Sequence, residues 1–83
     1  MVKRKTHTTT EYSFTVLYDE LTEGGYHITV PSLPGLVSYG RTFDEARVMA
    51  RDAIVCHVEG LKKERTRVPQ EKSFVQERLV ITV

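Results

Sequence analysis

The sequence predicts an α+β domain with element order β-β-β-α-β, in which a four-stranded mixed sheet of spatial order 3-2-1-4 carries one helix on one face. Three observations predict it. Tyr12 to Tyr18 alternates two sets of side chains strictly, the period of a half-buried strand. Pro31-Ser32-Leu33-Pro34-Gly35 is a stiff reversal between two further strand-like runs. Thr42-Phe43-Asp44-Glu45 has the spacing of a capping box at a helix start.

Residues 1–10 (MVKRKTHTTT) read as a flexible basic arm, or as a contact to RNA or an acidic partner; residues 11–83 form the single domain. In the first strand Tyr12, Phe14, Val16 and Tyr18 point one way, and Ser13, Thr15 and Leu17 the other. Asp19 to Gly25 is a polar turn with two glycines. Tyr26 to Val30 follows as strand two, with Tyr26, Ile28 and Val30 on one face. Each proline of the next segment holds φ at about −65° and lacks a ladder donor. Pro34-Gly35 suits the centre of a type II turn, where glycine takes positive φ. Leu33 near the tip is either a plug for the core or an anchor for a partner. Leu36 to Arg41 is strand three.

The helix is predicted from Phe43 to about Lys63. At about 100° per residue, Phe43, Ala46, Ala50, Ala53, Ile54, His57 and Leu61 share one stripe. Val48 and Val55 lie seven apart on the outer face, as scattered surface apolars or as an oligomer seam. Lys62 to Lys72 is a charged linker, and Phe74 to Val83 a last strand, apolar on both sides. A meander makes strands one and three run the same way. A right-handed crossover through the helix then lands strand four parallel to strand one and beside it.

A chain of 83 residues suits one domain. A domain this small buries only about 60% of its unfolded surface, so self-association is expected. Twelve basic and eleven acidic residues leave a net charge of +1, with no general drive towards nucleic acid or membrane. One cysteine, Cys56, excludes an intrachain disulfide. No apolar run nears the roughly 18 residues of a membrane span, and no apolar stretch follows the basic start as in a secretory signal. Together these predict a cytoplasmic protein.

The chemistry-bearing residues do not cluster. His7, His27 and His57 lie in a tail, a strand and a helix, without ligand spacing, so no metal or other cofactor is expected. Cys56 and His57 are helix neighbours and point about 100° apart, which argues against a thiolate–base pair. Three antiparallel strands, a helix and a parallel strand resemble part of a ribonuclease H fold, whose enzymes hold two metal ions with clustered acids. Here the acids fall at turns and caps, and a small metal-dependent nuclease using Asp19 and Glu45 is the lesser alternative. Tyr12, Tyr18, Tyr26 and Tyr39 could stack bases, but tyrosines of this kind more often pack on a sheet. No enzyme activity is expected.

Gly25-Tyr26 at strand two, Pro31-Ser32-Leu33-Pro34-Gly35, Gly40 to Ala46 at the helix start, and Pro69 beyond the helix together resemble the HicB antitoxin family. The resemblance covers Tyr12 to about Lys72 and corresponds to the family's N-terminal domain. It implies a degenerate ribonuclease H-like fold without nuclease activity. It implies a cytoplasmic antitoxin that covers the active site of HicA, a small mRNA interferase. The residues expected at the contact are Tyr26, Pro31, Ser32, Leu33, Pro34, Gly35 and Tyr39. Ser32 stands where the family commonly has an acidic residue. Full-length members carry a C-terminal DNA-binding domain; this chain reaches only Val83, so direct DNA binding is not expected of it. The other expected partner is a second copy of the chain, and an orphan homo-oligomeric scaffold without a toxin is the main alternative function.

Overall fold

A strong helix start sets the architecture. The computed structural model describes residues 11–71, 73 and 75–83; the predicted basic arm at residues 1–10 lies outside the described residues. The elements are β1 (Leu17–Glu20), β2 (Tyr26–Thr29), β3 (Val37–Gly40) and α1 (Phe43–Lys63). Thr42 caps α1: its hydroxyl oxygen accepts from the Glu45 N–H at 3.0 Å. The Glu45 carboxylate reaches back and accepts from the Arg41 N–H at 3.0 Å, one residue before the cap. Asp44 and Glu45 place negative charge at the positive end of the helix dipole.

Helix α1 ends in a Schellman arrangement. The Thr66 N–H donates to the Leu61 carbonyl at 2.8 Å, and the Arg65 N–H to the Lys62 carbonyl at 3.0 Å. Arg65 takes the left-handed conformation (φ 57°) that such an ending requires. The helix therefore stops at the end of its apolar stripe, and the predicted range is the observed one.

The sheet is antiparallel throughout, in the order β1-β2-β3. Tyr18 pairs with Ile28, and Ile28 with Ser38. Ile28, Ala46 and Ala50 form one buried cluster, with Val16, Tyr18 and Tyr26 packed against it. The alanines let the helix backbone approach the sheet. Gly40 extends this closeness: a Cβ there would collide with the backbone of Ala46. The Phe43 ring lies edge-on to both Tyr18 and Tyr26, at centroid distances of 5.0 and 5.6 Å, and closes that end of the core.

Two expectations change. The ladder of β1 begins at Leu17, not at Tyr12, although Phe14, Val16 and Tyr18 do face the core as the alternation requires. The reason is Pro31: β2 ends before it, and residues ahead of Leu17 have no strand beside them. Among the described residues the sheet also has three strands where four were predicted, so the order 3-2-1-4 is not formed among them. Residues 75–83 make no ladder with β1 and are exposed throughout. The physical reason is that a fourth strand depends on long-range pairing, which local apolarity does not secure.

Candidate functional site

The Pro-x-x-Pro-Gly segment folds as two successive turns. The Leu33 N–H donates to the Val30 carbonyl at 2.9 Å, enclosing Pro31 and Ser32. The Leu36 N–H donates to the Leu33 carbonyl at 3.1 Å, enclosing Pro34 and Gly35. Proline occupies the second position of each turn, where its fixed φ costs nothing further. Gly35 has φ +90°, which completes a type II turn and which a side chain would disfavour.

Of the two roles open to Leu33, its position is that of the plug. It is 1% exposed and clusters with Val30 and Leu36, under Phe14, Ala53, Ile54 and Leu61. Its side chain is not on the surface. Pro31, Pro34 and Gly35 are exposed around it. Tyr26 is half-buried against Phe43 on the helix side of the sheet. Tyr39 lies on the other side, because alternation turns it away from the core residues Ile28 and Ala46. The expected contact residues thus divide between two faces.

The uncovered face carries Leu17, Asp19, His27, Thr29, Val37 and Tyr39. Val37 is 62% exposed and Tyr39 46%. The Tyr39 ring is fixed: it lies where a Cβ on Gly25 would be, and its hydroxyl donates to the Gly24 carbonyl at 3.4 Å. Val37 is not among the expected contact residues, although Val37 and Tyr39 are two apart in one strand and share a face.

Ser32 turns inward, to a residue the sequence leaves in a featureless linker. Its hydroxyl donates to Glu71 at 2.7 Å. The same carboxylate accepts from the Thr15 N–H at 2.7 Å and the Thr15 hydroxyl at 2.8 Å. Thr15 lies beyond the last pair of the β1–β2 ladder, Leu17–Thr29. Glu71 accepts its N–H there, and ties the chain beyond α1 to the sheet. An acidic residue at position 32 would instead face Glu71 with like charge.

These bonds hold the Glu71 carboxyl below its ordinary value of 4.5. The Thr15 N–H contributes most, then the Ser32 and Thr15 hydroxyls, against a small opposing effect of burial. A folded-state value lowered in this way adds stability above the unfolded-chain value. That stability is lost as pH falls through the lowered folded value. Glu71→Gln is expected to flatten the acid limb of the thermal midpoint against pH, with the greatest loss near neutrality. Parallel curves for the two proteins would show that the three bonds contribute nothing.

The acids expected of a nuclease are engaged elsewhere. Glu45 is bonded to Arg41 at the helix start, and Asp19 lies across from His27 on the uncovered face. Among the described residues, no group of three or more His, Cys, Asp or Glu could hold a metal ion. Cys56 is exposed. No helix among the described residues is long and apolar enough to cross a membrane.

A second surface lies between β1 and α1. An open groove of about 740 Å³ runs along the outer edge of β1, lined by Tyr12, Phe14, Val16 and Tyr18 and by the flank of α1. Val48 and Val55, read from the sequence as surface apolars or as a seam, stand on its helix side.

Comparison with known proteins follows the same boundaries. The chain is 40% identical over 65 residues to a UPF0150 protein of Synechocystis sp., covering 78% of this chain and 82% of that one. A UPF0150 protein of Thermoplasma acidophilum is 33% identical over 60 residues, covering 72% and 87%. An uncharacterised 14.9 kDa protein of Haemophilus phage HP1 is 35% identical over 57 residues, 69% of this chain but only 43% of the phage protein. The sequence model of the HicB-like antitoxin of bacterial toxin-antitoxin systems matches residues 12–79, which span all three strands, the double turn, α1 and Glu71. The chain belongs to the HicB-like antitoxin family.

Proposed function

We propose that this protein is an antitoxin that neutralises a HicA-type mRNA interferase by covering its active site, without catalysis of its own. The observation that carries the reading is a rigid exposed rim, Pro31, Pro34, Gly35, Val37 and Tyr39, held by two turns and a buried plug. A preorganised surface of this kind binds without first losing loop entropy. Tyr26, Ser32 and Leu33 act beneath it as support. We read the domain, residues 11–83, as a degenerate ribonuclease H-like unit that works in the cytoplasm. Its partners are a toxin and a second copy of itself.

The test is co-expression with a HicA-type toxin, taken first from any small reading frame that adjoins the gene, followed by affinity measurement on the purified pair. Rescue of growth and a stable complex are expected. Tyr39→Ala should weaken the complex by about 30-fold, the scale of a central aromatic anchor worth about 2 kcal/mol. It should leave the far-UV circular dichroism unchanged. A complex formed equally well by Tyr39→Ala and Val37→Asp would rule out this face as the contact.

A further inference from the structure

Among the described residues the sheet has two open edges, β1 and β3, and the chain carries one unattached strand-like segment. The edge that borders an apolar groove is the outer edge of β1. The Leu21 N–H donates to the Gly25 carbonyl at 2.9 Å, so Leu17, Asp19 and Leu21 direct their backbone groups towards β2. Val16, Tyr18 and Glu20 then direct theirs outward, along the groove. Exposed strand edges of this kind invite pairing. One wall of the groove is Phe14, Val16 and Tyr18; the other includes Val48, Ile54 and Val55.

The segment is residues 75–83. Val75 is 95% exposed, Val80 86% and Ile81 72%. So many apolar side chains in nine residues exceed the scattered surface apolars of an ordinary monomer. The segment does not enter the groove of its own chain, and the molecule measures 71 Å along its longest axis against 28 and 24 Å across. Charges also match in kind: Asp44, Arg47 and Arg51 border the groove, and the segment carries Glu77 and Arg78.

We propose that residues 75–83 of one copy pair with the β1 edge of a second copy and fill its groove, with the second copy returning the exchange. The sheet then gains its fourth strand from the partner, beside β1. Two copies satisfy both needs at once in an isologous, two-fold arrangement, which closes on itself and does not propagate. Val48 and Val55 are thereby covered. The toxin-binding face is read separately, so either reading can fail alone.

The test is isotope-filtered nuclear Overhauser spectroscopy on a mixture of labelled and unlabelled full chains, alongside sedimentation velocity at micromolar concentration. The expected result is a dimer, with intermolecular contacts between the Leu79 and Ile81 methyls and the Tyr18 ring. Removal of residues 75–83 should leave a monomer that keeps its helical circular dichroism. Should that truncation unfold the chain, Ile81→Lys should raise the dimer dissociation constant at least tenfold. The proposal is overturned by a monomeric full chain, by the same methyl–ring contacts arising within one chain, or by a dimer that survives Ile81→Lys unchanged.

Discussion

Leu33→Ala is expected to remove about 2–5 kcal/mol of stability, the range for truncating a buried leucine. At about 0.05–0.15 kcal/mol per residue the whole domain has roughly 4–12 kcal/mol. The variant should therefore lose a large share of its stability, and at the low end of that range it is unfolded. The cost is high because Leu33 touches two systems: it fills the cluster of Val30 and Leu36 under α1, and it stands at the junction of the two proline turns. Urea denaturation followed by circular dichroism measures the change. Asp52→Asn, on the exposed side of α1, is the control and should fall within about 0.5 kcal/mol of the parent. A Leu33→Ala protein of near-parental stability would mean that the loop is not seated in the core. The rim would then lose its rigidity as a binding surface.

Gly40→Ala is expected to cost about 3 kcal/mol, the upper part of the usual range for overpacking. The added Cβ would stand 2.8 Å from the Ala46 Cβ and closer still to the Ala46 backbone. Backbone cannot rotate aside as a side-chain tip can. The end of β3 and the first turn of α1 would have to separate, opening the cluster of Ile28, Ala46 and Ala50. For a domain of this size, 1 kcal/mol moves the thermal midpoint by about 4–8 °C, so a fall of about 12–24 °C is expected. A midpoint within a few degrees of the parent would refute the close approach. Gly24 is the contrast, since a Cβ there meets nothing within 4 Å and any cost would come from its φ of +102° alone.

These two positions also connect stability to function. The uncovered sheet face and the proline rim are the proposed toxin contact, while the β1 edge and the flank of α1 are the proposed contact between copies. The toxin contact centres on Val37 and Tyr39 of β3 and on the proline rim, and the contact between copies on the outer edge of β1, the other edge strand. Both depend on α1 being seated, because α1 holds Leu33 from one side and forms the wall of the groove on the other.

Within the candidate site, the turns were readable and the direction of the side chains was not. Pro31, Pro34 and Gly35 act through φ, a property of each residue alone, so their spacing is enough to specify the reversal. Leu33 faces inward and Tyr39 outward only because α1 covers one face of the sheet. Ser32 is bonded to Glu71, 39 residues later, and no local pattern marks Glu71. Its signal is a lone acid beyond a helix, indistinguishable by sequence from a solvated charge.

The sequence by itself determined the helix from cap to end, the three-strand meander, the type II turn at Pro34-Gly35 and the family. Each of these is encoded by contacts within a few residues, or by a period that repeats along one element. Only the tertiary structure decided where β1 starts to pair, which face each expected contact residue occupies, and that residues 75–83 do not close onto their own sheet. Those outcomes depend on pairings between distant segments, whose free energies are set by the surfaces that meet and not by either segment alone.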